Sequence, residues 1–123
     1  MMANTRNPWE LLPLTPAVFH ILLALGEGEL HGYAIMQEAL ANSDGRLRMG
    51  PGTLYGTIKR LLADKLIEES DERPDPALDD ERRRYYRLTD FGARVLSAEV
   101  HRMASLVKVA RRKPLIGEAK GVV

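Results

Sequence analysis

The hydrophobic pattern of this chain changes period twice: three short runs of helical spacing, two short β-forming runs, then one long helical run. Asn7-Pro8 offers a cap followed by proline at the first helical position, giving a brief turn before Pro13. Thr15-Pro16 repeats that signal, and Val18, Ile21, Leu22 and Leu25 recur on one helical face until Gly26 and Gly28 end it. His31-Gly32 opens a second helix running to about Asn42, with Tyr33, Ile35, Met36 and Leu40 as apolar contacts and Ser43-Asp44-Gly45 as its stop. After the turn-prone Gly50-Pro51-Gly52, the run Thr53 to Asp64 sets Leu54, Ile58, Leu61 and Leu62 on one face, with Thr53, Thr57, Lys59 and Arg60 elsewhere. Leu66-Ile67-Glu68-Glu69 and Arg84-Tyr85-Tyr86-Arg87-Leu88 then read as two strands flanking a polar loop that holds Pro74 and Pro76. Thr89-Asp90 caps the last helix, in which Phe91, Val95, Met103, Leu106, Val107 and Ala110 keep helical spacing for about five turns, to near Lys113-Pro114.

Three helices followed by a long-tipped hairpin describe a mainly α fold with a small β-hairpin, the winged form of the helix-turn-helix, whose third helix enters the major groove. The expected plan is a winged-helix DNA-binding domain over residues 14–88, a C-terminal dimerisation helix over 89–113, and short terminal segments at 1–13 and 114–123. A chain of 123 residues can bury the core of one domain, but a long helix left over needs a cover. The sequence contains no cysteine, which removes disulfides and thiolate zinc sites and agrees with a reducing compartment, so the cytoplasm is the expected location. The longest apolar stretch, Ala17 to Leu25, is interrupted by His20 and is far short of the roughly 20 residues of a membrane span. No apolar signal core follows the N-terminus.

The formal charge of +1 conceals a sharp division: −2 over residues 1–49, +2 over 50–65, −6 over 66–82 and +7 over 83–123. Local positive charge is what a nucleic-acid surface needs, and it lies on the third helix and beyond the hairpin tip. The tip itself, with Asp71, Glu72, Asp75, Asp79, Asp80 and Glu81, is acidic and is expected to point away from phosphates.

Three stretches in order strengthen this reading: Leu30-His31-Gly32-Tyr33-Ala34-Ile35; Gly52-Thr53-Leu54-Tyr55 followed by Ile58, Arg60, Leu61 and Leu66-Ile67; and Arg84-Tyr85-Tyr86-Arg87-Leu88-Thr89 with Gly92. Over roughly Leu14 to Met103 the chain resembles the PadR-like family of regulators. The resemblance implies a homodimer joined through the C-terminal helix, a repressor-type role, and often a small-molecule effector.

The candidate DNA-binding residues are Gly52, Thr53, Tyr55, Thr57, Lys59 and Arg60 on the third helix, with Arg82, Arg83 and Arg87 at the base of the wing. Hydroxyl, phenol, ammonium and guanidinium groups can all donate to phosphates or base edges, and the free N–H groups at a helix start favour a phosphate. Gly56 in mid-helix costs about 1 kcal/mol relative to alanine, which close approach of a groove wall or a neighbouring helix would explain. Two readings are open for the arginines: approach to the DNA backbone or minor groove, or cross-strand pairing with Glu68, Glu69 and Glu81. Tyr86 and Leu88 are expected to face inward. Tyr55 is open to a second reading too, with its ring covering the core.

The stripe Phe91, Val95, Met103, Leu106, Val107 and Ala110 is the candidate dimer interface, the alternative being that it folds back onto the first helix. Arg94, Arg102, Lys108, Arg111 and Arg112 read as a solvated face of that helix. Trp9 is either a staple or the lining of an effector pocket suited to a small aromatic ligand. His20, His31 and His101 have no metal-ligand spacing, and no metal or other cofactor is expected. No nucleophile-base pair or phosphate-binding glycine loop points to an enzyme. The competing function is a winged helix that binds protein or a ligand without binding DNA, and the donor-rich rather than apolar face of the third helix argues against it.

Overall fold

The computed structural model describes residues 6–70 and 84–116. Most helix starts follow from side chains that replace missing backbone partners. Asn7 accepts from Trp9 N at 3.0 Å at the head of a short 3-10 turn, Pro8–Leu11. Thr15 Oγ1 accepts from Val18 N at 3.3 Å to begin α1 (Pro16–Ala24), and His31 Nδ1 accepts from Ala34 N at 3.2 Å to begin α2 (Gly32–Asn42). Thr89 Oγ1 accepts from Gly92 N at 2.9 Å to begin α4 (Asp90–Arg111).

The third helix, α3, spans Pro51–Ala63 with Gly50 as its N-cap. It starts two residues earlier than the sequence reading placed it. Pro51 sits at the first helical position, where proline's missing N–H has no intrahelical partner to lose, so Gly50-Pro51-Gly52 is the helix entry rather than a turn before it.

The strands form a three-stranded antiparallel sheet in the order β1 (Leu30–His31), β3 (Tyr85–Leu88), β2 (Ile67–Glu69). The register pairs Leu30 with Tyr86 and His31 with Tyr85 on one side of β3, and Ile67 with Leu88 and Glu68 with Arg87 on the other. The expected hairpin is therefore widened by a third strand. Two residues are too few to show a period, and only pairing with distant β3 makes Leu30–His31 a strand.

Ile21, Leu22 and Leu25 meet Ile35 and Ala39 of α2, Leu54, Ile58 and Leu61 of α3, Leu66 just before β2, and Ile67 and Tyr86 of the sheet in one buried cluster. Each large aliphatic side chain taken fully from water contributes about 1.5–3 kcal/mol. Tyr33, expected among the apolar contacts of α2, is instead 56% exposed.

The 22 residues of α4 make a rod of about 33 Å. Its first turns belong to the core: Phe91, Val95 and Glu99 are buried. Beyond Glu99 the helix leaves that cover, and Val100, Leu106, Val107 and Val109 are all exposed. Phe91 and Val95, expected at a dimer interface, are thereby corrected to intramolecular core residues, because both are already buried in the protomer's own core cluster. Among the described residues no helix is long and apolar enough to cross a membrane, and no group of histidine and carboxylate side chains can hold a metal ion.

Candidate nucleic-acid interface

Leu54, Thr57, Ile58 and Leu61 anchor α3 to the core, which fixes the opposite face outward. At 100° per residue, the centre of that outward face is formed by Gly52, Gly56, Lys59 and Ala63, all of them exposed. Thr53 and Arg60 flank this line on one side and half-buried Tyr55 on the other. An ideal Cβ built on Gly52 or Gly56 meets nothing within 4 Å. No neighbouring helix therefore requires glycine at position 56, and the space beside it opens outward.

Two expected contacts have other work. Thr57 is only 3% exposed, and its hydroxyl donates to the Thr53 carbonyl at 2.7 Å. It is buried and leaves the exposed set. The Tyr55 ring lies against Gly32, where an added Cβ would come within 2.9 Å of Tyr55 Cε1. Gly32 thus admits the ring and joins the start of α2 to α3, so the packing reading of Tyr55 holds for its ring while part of the residue stays at the surface.

No side chain caps the start of α3, since its N-cap is Gly50. The N–H groups of Gly52 and Thr53 fall in the first turn, where an α-helix has no internal acceptors for them. Arg60, nearer the other end, borders a cavity of about 190 Å³ with Pro13, Leu14, Val18 and Leu61. A second cavity of about 320 Å³ lies beside the α3 entry, lined by Tyr33, Met36, Leu40, Arg48, Met49 and Pro51.

At the wing base the described arginines make cross-strand pairs. Arg87 Nε donates to Glu68 Oε2 at 2.8 Å across the register pair, and Arg84 lies 3.6 Å from Glu69. Both pairs are partly exposed, which limits their worth to about 0–1 kcal/mol. Tyr86 is buried and Leu88 half-buried, as their shared face requires. Arg82, Arg83 and the acidic tip lie outside the described residues.

Thr89 joins α4 to the end of α3. Its hydroxyl donates to the Lys65 carbonyl at 2.7 Å, and its N–H to the Leu66 carbonyl at 3.1 Å. Gly92 packs directly on the Leu66 carbonyl, leaving no room for a Cβ.

The sequence reading missed Glu99. Its side chain is 2% exposed and accepts from Leu14 N at 2.9 Å and from Arg102 Nε at 2.6 Å. The Arg102 hydrogen bond holds the carboxyl below the ordinary glutamate range, against the opposing effect of burial, and the same bond raises the Arg102 guanidinium. Arg102, expected on a solvated face, is committed to this pair. A charged residue at a core position, i+4 from Val95 and three before an arginine, was the available signal. Trp9 is half exposed, lies edge-on to His101 of α4 at 6.1 Å between ring centroids, and borders neither cavity.

Three helices carrying an antiparallel wing, with one helix anchored by a single face and open on the other, define a winged helix-turn-helix protein. The family model of the transcriptional regulator PadR-like family matches residues 21–98, and the chain belongs to that family. The family consists of transcriptional regulators, not enzymes. Over 89 residues the chain is 35% identical to a transcriptional regulator of Mycobacterium tuberculosis, covering 72% of this chain and 77% of that protein. Over 86 residues it is 41% identical to an uncharacterized 37.1 kDa protein in a Streptomyces fradiae transposon, covering 70% of this chain but only 22% of that protein. The fold is shared with a PadR family transcription regulator of Clostridium difficile, at a TM-score of 0.64 and 22% identity over 80% of this chain and 97% of that one.

Proposed function

We propose that this chain represses transcription as a homodimer that places α3 of each protomer in the major groove of an inverted-repeat operator. The observation that carries the reading is the outward face of α3. Its centre is formed by Gly52, Gly56 and Ala63, so a groove wall can reach the helix backbone, with Lys59 on the same line and Thr53, Tyr55 and Arg60 beside it. A protein-docking helix would carry apolar side chains in those places. In this reading residues 14–88 form the DNA-binding unit, and Met103, Leu106, Val107 and Ala110 pair with their copies on a partner. Two-fold pairing sets the reading helices about 34 Å apart, one turn of DNA. Arg82 and Arg83 would add contacts to the DNA backbone. A small aromatic effector that releases the operator would enter beside Trp9, whose indole is half exposed next to His101.

Selection from random duplex DNA yields an inverted repeat under this proposal, and binding to it falls steeply with salt as phosphate counterions are displaced. Joint replacement of Lys59 and Arg60 by alanine abolishes the shift of that duplex in a gel while light scattering still shows a dimer. Unchanged affinity in the double variant refutes the assignment of α3.

A further inference from the structure

Glu99 occupies the last buried turn of α4. Up to it, Phe91, Val95 and Glu99 follow one another at four-residue intervals inside the domain; one residue later Val100 is 45% exposed, and Leu106 further on is 54% exposed. Its two carboxylate oxygens are both occupied. Oε1 accepts from Arg102 Nε at 2.6 Å, while Oε2 accepts from Arg102 Nη2 at 3.1 Å and from the Leu14 backbone N–H at 2.9 Å. Leu14 lies just before the Thr15 cap of α1, so this carboxylate fastens α4 to the lead-in of α1 where α4 leaves the core. Two further contacts join the N-terminal segment to α4: Arg6 stacks over the Phe91 ring at 4.3 Å, and Trp9 meets His101 edge-on. Residues 6–14 thus form a strap along the first half of α4.

An apolar residue at position 99 would fill the same space without fixing a direction. The carboxylate, charge-paired with Arg102 on the same helix, has one arrangement that also satisfies the Leu14 N–H, and departure from it breaks that hydrogen bond between α4 and the lead-in of α1. From Glu99 to Arg111 the helix extends about 18 Å, so a tilt of about 10° at Glu99 moves the far end by about 3 Å. That is close to the rise of one base pair, about 3.4 Å.

We propose that Glu99 is a positioning residue: by locking the angle at which α4 leaves the DNA-binding unit, it sets the separation of the two reading helices and hence the half-site spacing of the operator. This inference rests on the dimeric, DNA-binding reading above.

The test uses the full chain. Since it contains no cysteine, Ala63→Cys on the outside of α3 gives one spin-label site per protomer. In the otherwise unchanged protein, electron double resonance gives one narrow inter-label distance. Glu99→Ala and the milder Glu99→Gln broaden that distribution while light scattering still reports a dimer. In parallel, duplexes from the random selection are lengthened or shortened by one and two central base pairs. The unsubstituted protein loses about tenfold or more in affinity per base pair of misspacing, whereas the Glu99 variants lose about twofold or less and keep their affinity for a single half-site. If Glu99 is merely structural, all spacings weaken by one common factor and the distance distribution stays narrow, and the proposal is overturned. Should Glu99→Ala not fold, the same two readouts on Glu99→Gln and Arg102→Ala decide it. A monomeric or non-binding unsubstituted protein instead refutes the underlying reading, before any Glu99 variant is made.

Discussion

Replacing Gly56 by alanine separates stability from binding, because the two effects have opposite signs. Gly56 is exposed in the middle of α3, and the new Cβ finds no atom within 4 Å. The folded protein therefore suffers no clash, while the helix gains about 1 kcal/mol from the better propensity of alanine. For a chain of this size that raises the melting temperature by a few degrees. In the proposed complex the methyl group meets the groove at the centre of the reading face, between Gly52 and Lys59, where the helix backbone approaches most closely. Displacing α3 outward there lengthens its flanking phosphate and base contacts, and the loss of one good contact, about 1–3 kcal/mol, weakens binding about five- to 150-fold. Thermal unfolding and fluorescence anisotropy with the selected duplex measure the two effects on one preparation. A more stable variant with unchanged DNA affinity would show that DNA does not approach this face. A less stable variant would refute the account of Gly56 as an unpacked helical glycine.

Three other outcomes follow from the structure. Gly92→Ala drives a Cβ into the Leu66 carbonyl and, unlike Gly56→Ala, destabilises by about 1–3 kcal/mol or more, read as a fall in denaturant midpoint. Glutamate at both Leu106 and Val107, which are 54% and 48% exposed, yields monomers in light scattering with little change in the protomer's far-ultraviolet circular dichroism; persistent dimers would place the pairing surface elsewhere. Because the Glu99 carboxyl titrates below its ordinary range, its ionised form stabilises the fold at neutral pH, and this contribution is lost as the pH falls below about 4.3. The melting-temperature difference between the unsubstituted protein and Glu99→Gln should therefore shrink on acidification through that window, and a constant difference contradicts the assignment.

The split within the C-terminal stripe shows where one-dimensional information stops. Helical spacing identified Phe91, Val95, Met103, Leu106, Val107 and Ala110 as one apolar face, but periodicity says which side of a helix is covered and not by what. Phe91 and Val95 are buried in the protomer's own core, while Leu106 and Val107 are exposed. Arg87 was open to two partners on sequence because cross-strand pairing and DNA contact ask for the same side chain. The structure pairs Arg87 with Glu68 across the strand register.

What the sequence by itself determined is local. Asn7, Thr15, His31 and Thr89 were legible as helix starts because a cap bonds an amide only two or three residues ahead. The inward faces of α1 and α3 were legible because each repeats within a few turns. Only the tertiary structure decided that Leu30–His31 is a strand, that Gly32 makes room for Tyr55, that Thr57 turns inward, and that Glu99 holds the N–H of Leu14 from 85 residues away. The strand, the Gly32–Tyr55 fit and the Glu99 tie each join residues far apart in the chain. Thr57 satisfies its hydroxyl locally, but whether α3 turns that side to the core depends on what packs there. No period or cap reports such contacts, because the partner is brought into range only when the core closes.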